Sequence, residues 1–393
     1  MPGLIALAIA YILSQFYRSF LAVLTPQLYS ELGADKADLS LASGLWFISF
    51  ALMQFVVGIS LDRFGPRRTA AWIFGLAGGG GALVFANAQS PYAIVVAMTL
   101  IGAGCAPVLM ASLFIFARRF DVRQFAVMTS WLVAFGNLGN VVGASPLAHA
   151  VDVFGWRPVM NALACASLLV ALCVGFLVRD PAAGAPNGAG LSGYITLLKS
   201  KALWPIMIMT LLCYAPVAGL RGLWAGPYLA DLFSADSLLI GRITLWMAFA
   251  MIIGSLIYGP LDKLLNTRKW VVFFGNLLVL LALLVFVVNP LPGLATATVL
   301  FIVIGLCGTS YGVVMAHGRA FLPADLIGRG VTLINFCSIF GAGLLQFLSG
   351  RLVAAQADTS SPDTYQILFG SYAVLLGAAL LVYLGSKDAV PAR

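Results

Sequence analysis

The chain has 393 residues, of which 61% are hydrophobic and 9% charged, with a formal net charge of +8 and a mean hydropathy of +1.01. A soluble domain carries about 25% charged residues. So few charges cannot cover a water-facing surface, and the chain belongs in lipid. The basic excess does not point to nucleic acid, because Lys and Arg are spread over short loops between apolar runs, as in membrane proteins with basic cytoplasmic loops.

In chain order, twelve apolar segments of spanning length, about 20 residues each, run over 3–25, 39–61, 69–89, 91–117, 124–150, 156–178, 203–230, 239–261, 270–289, 293–317, 329–354 and 365–384. The opening Met-Pro-Gly has no basic region and the first run is long enough to remain as a span, so no cleavable signal is expected. A polar stretch, Arg179 to Ser200, divides the segments six and six, and its core PAAGAPNGAG has a loop composition. The expected fold is an all-α membrane protein of twelve transmembrane helices in two pseudo-symmetric halves. These are an N-terminal six-helix bundle at 1–178, a cytoplasmic linker at 179–200 and a C-terminal six-helix bundle at 201–393. Cys105, Cys165, Cys173, Cys213, Cys307 and Cys337 all fall in apolar runs without a Cys-x-x-Cys pair, and read as small hydrophobes rather than disulfides or zinc ligands.

Charge sets the expected orientation. With both termini in the cytoplasm, the inner loops hold sixteen of the 22 Lys and Arg, and the outer loops hold four: Lys36, Arg157, Arg242 and Arg351. This is the positive-inside asymmetry. Arg18 and Arg221 lie inside spans. The halves also repeat: Asp62, Arg63, Arg68 and Gly75 have partners 200 residues on in Asp262, Lys263, Arg268 and Gly275, while Arg18 recurs 203 on as Arg221.

Between segments 2 and 3 the chain reads GISLDRFGPRR over 58–68. This resembles the Gly-x-Leu-x-Asp-Arg-x-Gly-Arg-Arg signature of the major facilitator superfamily, with matches at Gly58, Asp62, Arg63, Gly65 and Arg67 and departures at Ser60 and Pro66. A worn copy follows in the second half at Gly259, Asp262 and Lys263, then Arg268. The resemblance implies a transporter working by alternating access, commonly monomeric, without a cofactor. It also implies that Gly58, Asp62, Arg63, Gly65, Arg67, Arg68, Asp262, Lys263 and Arg268 latch the halves on the cytoplasmic side. The family's segment-4 arginine is replaced by Met98, and the exporter pattern of segment 5 fails at Gly139 to Pro146. The resemblance places the protein in a bacterial inner membrane.

A charged side chain at the bilayer centre costs about 2.5–3.5 kcal/mol on insertion scales and usually faces a cavity. Arg18 and Arg221 sit in corresponding places, and a guanidinium fork suits carboxylate or phosphate. The helix-1 stretch from Ser14 to Pro26 resembles organic-anion and organophosphate transporters of the superfamily, in which arginines of helices 1 and 7 grip substrate. It also resembles a bacterial subset that includes copper and riboflavin importers. All fourteen Asp and Glu lie in loops or at span ends, so no buried proton carrier is evident. Coupling through Asp231 or His317 stays open.

Gln15, Tyr17, Trp131, Asn137, Asn140, Tyr214, Trp246, Tyr311 and Asn335 are candidates to complete a substrate site. Met247 and Met251, on one helical face, are candidate Cu(I) ligands. Four consecutive glycines, Gly78 to Gly81, read as close helix packing. The expected partners are a small-molecule substrate and the lipid bilayer, with no nucleic acid. The expected function is import of a small organic solute, anionic or electron-rich. Riboflavin or Cu(I) import is one alternative, and a non-transporting assembly or sensor protein of the same fold is another.

Overall fold

The computed structural model describes residues 2–119, 122–180, 192–323 and 326–389. Within these, ten helices are long and apolar enough to cross a membrane. The twelve segments in order are α1 (Pro2–Phe16), α2 (Lys36–Leu61), α3 (Arg63–Ala86), α4 (Pro91–Phe116), α5 (Val122–Val142), α6 (Trp156–Leu177), α7 (Trp204–Phe233), α8 (Ser237–Asp262), α9 (Lys269–Val288), α10 (Leu294–Arg319), α11 (Thr332–Ala354) and α12 (Pro362–Leu384). A helix rises about 1.5 Å per residue, so these lengths match a hydrocarbon core of about 30 Å. The shorter apolar pieces are α1 and the Trp131–Val142 part of α5. Large apolar side chains stand exposed along the spans, among them Leu169, Phe176, Val288, Val374 and Leu381. Lipid tails satisfy such a surface; water does not.

The chain divides into two compact units, residues 1–186 with 235–245, and residues 187–234 with 246–393. In the first unit α4 packs along α2 and α3, α1 lies against α5 and α6, and α3 against α6. The glycine run fits this packing: a methyl group on Gly104 would fall 2.0 Å from the Gly78 nitrogen. In the second unit α7 contacts α11 and α12, while α9 packs on α12 and α10.

Several boundaries differ from the hydropathy reading, and proline accompanies several of them. Proline lacks an N–H and its ring clashes with the carbonyl four residues back. Segment 1 is not one continuous helix. Regular α1 stops at Phe16, a 3₁₀ turn occupies Phe20–Ala22, and a second helix, Thr25–Leu32, carries Pro26 in its first turn. Segment 7 breaks at Tyr214 ahead of Pro216 and widens into a π turn at Leu220–Trp224, just before Pro227. Pro26 and Pro227 are 201 positions apart, so the repeat preserves a proline near the start of each restarted helix. Segment 5 ends at Val142 and restarts as Ser145–Phe154 with Pro146 in its first turn.

The loop expected between segments 2 and 3 is helical, bent only at Gly65 (φ 81°, ψ 163°), with Pro66 opening the next helix. The linker is not loop throughout: Ser192–Leu198 is helical. Its Leu197 is buried in a cluster with Leu203, Met207, Leu326, Leu333 and Cys337. Residues 181–191, the core of that linker, lie outside the described residues.

Candidate functional site

In the first unit the break after Phe16 decides where three consecutive side chains go. Tyr17 is fully buried and bonds Ser167 on α6, hydroxyl to hydroxyl, at 3.0 Å. Ser19 donates to Asn140 Oδ1 on α5 at 3.4 Å, and Asn140 Nδ2 donates to Asn137 Oδ1 at 3.2 Å. Between them Arg18 is half-buried and takes a third direction. Its guanidinium carbon lies 5.4, 6.0 and 5.5 Å from the ring centres of Trp46, Phe47 and Phe50 on α2. Trp46 and Phe50 are themselves stacked at 5.3 Å. The quadrupoles of three rings therefore steady one cation.

Gln15, one turn before, is 7% exposed and its Oε1 is buried with no hydrogen bond among the described residues. The close approach of α5 to α1 rests on Gly139, where a Cβ would stand 2.0 Å from the Ile12 carbonyl oxygen and 2.8 Å from the Phe16 nitrogen. The structure thus gathers Gln15, Tyr17, Arg18, Asn137 and Asn140 around one helix break. Trp131 is 59% exposed, beside Phe135, and is not among them.

In the second unit Arg221 stands on the π turn of α7 and is 4% exposed. Tyr214, seven residues earlier, occupies the other break of the same segment. Tyr311 donates to Asn335 Oδ1 at 2.6 Å, which joins α10 to α11. Trp246 is 58% exposed. Met247 and Met251 both lie against Gly305 of α10: a Cβ there would stand 3.0 Å from Met247 Cγ and 3.5 Å from Met251 Cγ. Among the described residues no cluster of three or more His, Cys, Asp or Glu is placed to hold a metal ion.

His317 and Asp231, the candidate coupling groups, are both engaged. His317 is fully buried, with Nδ1 2.6 Å from the Tyr383 hydroxyl and Nε2 2.8 Å from the Lys387 carbonyl. The carbonyl can only accept, so Nε2 donates and, in the neutral ring, Nδ1 accepts from the tyrosine hydroxyl. Asp231 Oδ2 accepts from Tyr365 at 2.6 Å.

The signature loop has a partner that the sequence reading missed. Asp180, just beyond α6, accepts the Arg67 N–H at 2.8 Å and lies 3.7 Å from Arg67 Nε. Gly65 makes room for it. Its positive φ disfavours any side chain, and a Cβ there would meet the Asp180 carboxyl carbon at 2.8 Å. Asp388, just beyond α12, repeats the device. It accepts the N–H groups of Lys269 at 2.9 Å and Arg268 at 3.2 Å, and the Thr267 hydroxyl. Burial alone would raise the Asp388 pKa, but the bonds from Thr267, Lys269, Ala389 and Arg268 outweigh it and hold the carboxyl below its ordinary value. The available signal was a basic residue and an Asp closing each half, Arg179-Asp180 and Lys387-Asp388.

Within the latch set, Asp262 is 7% exposed and accepts from Arg268 Nε at 3.2 Å. Arg63 lies 5.3 Å over Phe64, and Arg68 is exposed. Gly58 has open space where a Cβ would be. The side chains of Asp62 and Lys263 lie outside the described residues.

A sequence model described as Major Facilitator Superfamily matches residues 7–220. The chain belongs to the major facilitator superfamily. Facilitator membership makes it a multi-pass membrane protein of a transport family rather than an enzyme. The chain is 24% identical over 295 residues to the membrane sensor protein UhpC of Escherichia coli, which is 68% of this chain and 65% of UhpC. The match therefore spans slightly less than two thirds of that relative. The fold is similar to that of the nucleoside transporter NupG, at TM-score 0.74 and 17% identity over 98% of this chain and 100% of the other. It is also similar to that of a D-xylose-proton symporter, at TM-score 0.76 and 13% identity over 98% and 97%.

Proposed function

We propose that this facilitator protein imports a small anionic or electron-rich organic solute across a bacterial inner membrane by alternating access, with Arg18 and Arg221 recognising the solute. The observation that carries the reading is the paired setting of the two arginines. Each stands where its segment leaves α geometry, the two are 203 positions apart in the internal repeat, and Arg18 is steadied by three aromatic rings. Irregular backbone at membrane depth is tolerated only where it is buried in protein or lines a cavity, and it is a recurrent feature of transporter binding sites. A guanidinium fork matches the geometry of a carboxylate or phosphate. Gln15 adds a buried acceptor one turn away. The positive-inside pattern supports cytoplasmic termini, and a single chain is the working unit.

The test is thermal stabilisation of the purified protein by a panel of sugar phosphates, nucleotides, carboxylates, riboflavin and Cu(I). A ligand at about 100 times its Kd stabilises by roughly 2.7 kcal/mol. Stabilisation by an oxyanion that Arg18→Ala abolishes and Arg18→Lys weakens is the expected result. Stabilisation by riboflavin or Cu(I) alone, undiminished in Arg18→Ala, would overturn the reading.

Similarity to a protein named as a membrane sensor favours a second reading, in which the same fold binds a solute without moving it. Proteoliposomes separate the two. Exchange of the stabilising ligand across the bilayer supports transport, whereas binding with no exchange supports sensing.

A further inference from the structure

In the second unit, a groove of about 510 Å³ is lined by Arg268, Met315, Ala316, Arg319 and Ala320. Four of the five come from one helix, Tyr311–Arg319 and the residue that caps it. Met315 and Arg319, like Ala316 and Ala320, are four residues apart and share a face. His317 belongs to the other side of the helix, where Tyr383 and the Lys387 carbonyl hold it. The two alanines form a low floor, and the arginines supply charge along it.

The groups around this groove differ in what they have left to give. Lys269 Nζ is consumed by the Leu384 carbonyl at 2.6 Å and the Ser386 carbonyl at 2.8 Å. Asp388 is consumed by backbone N–H groups and Thr267. Arg268 spends Nε on Asp262, so this ion pair locks its orientation while both Nη groups make no hydrogen bond among the described residues. Arg319 is exposed, and its side chain makes no hydrogen bond or ion pair among the described residues. Among the described residues one carboxylate therefore stands against two guanidiniums, which leaves a net positive charge and two planar donor edges without a hydrogen bond there.

The surroundings indicate where this charge stands. Leu264 is 75% exposed, Leu265 58% and Trp270 42%, and Lys269 Nζ lies 5.3 Å from the centre of the Trp270 ring. Bare leucines, an indole and cations together are the composition of a membrane–water boundary. A basic pocket between helix ends at that level suits a phosphate headgroup.

We propose that this groove is a binding site for a phosphate ester, whose oxyanion bridges Arg268 and Arg319 and whose apolar portion rests on Ala316, Ala320 and Met315. The site is separate from the arginines assigned to transport. A phosphate ester has two sources, the headgroup of an anionic phospholipid or a soluble organic phosphate.

The full-length protein is purified and examined by native mass spectrometry with phosphatidylglycerol against phosphatidylcholine, and by thermal melts with sn-glycerol 3-phosphate. Two variants test the groove: Arg319→Gln, which removes one fork from an exposed position, and Ala320→Glu, which brings a carboxylate to the floor. The glycerol 3-phosphate melts are made in the Arg18→Ala background, so that an oxyanion at the transport site does not contribute to the shift. A hydrogen bond to a charged group is worth about 1.5–3 kcal/mol, so each groove variant is expected to weaken binding by roughly tenfold or more. Retention of phosphatidylglycerol that the variants lose assigns the site to lipid. Stabilisation by glycerol phosphate that the variants lose assigns it to a soluble ester. Binding of both probes by wild type and both variants alike, or by none of them, would overturn the proposal.

Discussion

Gly139→Ala places a methyl group 2.0 Å from the Ile12 carbonyl oxygen and 2.8 Å from the Phe16 nitrogen, both backbone atoms of α1. Real Cβ contacts essentially never fall under 3.0 Å, so α1 and α5 must part by about 1 Å. No rotamer change relieves this, because neither obstacle is a side chain. Overpacking costs about 1–3 kcal/mol, and a backbone clash belongs at the upper end, near 2–3 kcal/mol. The displaced atoms end α1 at the turn that aims Tyr17, Arg18 and Ser19. The substitution is therefore expected to lower the melting temperature by several degrees and also to weaken the ligand response that Arg18 supplies. Gly58→Ala is the matched control. Gly58 is also helical, has nothing within 4 Å of its would-be Cβ, and belongs to the signature motif. Alanine there should be neutral or stabilising by up to about 1 kcal/mol. The readout is thermal unfolding in detergent with and without the stabilising ligand. Equal melting for Gly139→Ala and wild type would refute the claim that backbone contact sets the α1–α5 distance.

Asp388 holds a depressed pKa through the bonds it accepts, so its contribution is present above the unfolded value of about 3.9 and is lost as pH falls through the lower folded value. Protease cleavage at Lys387 should accelerate below about pH 4 in wild type, and in Asp388→Ala it should be fast at neutral pH already. Asp180→Ala should cost roughly 1 kcal/mol by removing the acceptor for the Arg67 N–H, while Asp180→Asn keeps an acceptor and should melt near wild type. The exposed ion pair to Arg67 is itself worth little, so 0.5 M salt should leave that ranking unchanged. Tyr311→Phe deletes the 2.6 Å bond to Asn335 and should destabilise by about 1–2 kcal/mol, measured against Tyr92→Phe, an exposed tyrosine.

Much of the architecture was legible because the bilayer imposes it. A span needs a fixed number of apolar residues, and charge cannot be scattered within it, so run lengths alone located the helices and isolated Arg18 and Arg221. The prolines were also in plain view, but their consequence was not. Hydropathy averages over some 20 residues and cannot see a turn of three, so the break at Phe16 and the π turn at Leu220–Trp224 were read as continuous helix. The bend at Gly65 was taken for a loop because its charges mark a membrane boundary, whereas the backbone stays helical there except at one glycine.

The candidate site divides in the same way. Sequence selected the arginines by their cost in lipid and the signature by its residue spacing. It could not select Trp46, Phe47 and Phe50 as the rings around Arg18, nor Asp180 and Asp388 as the partners of the two repeated loops. Those pairs are separated by 28 to 121 positions. Composition and local pattern thus determined the solvent, the number of apolar segments, the twofold repeat and the residues whose burial had to be justified. Only the tertiary structure decided where each side chain points. Direction depends on which helix lies alongside and how closely its backbone can approach, and that is a property of packed surfaces rather than of neighbours along the chain.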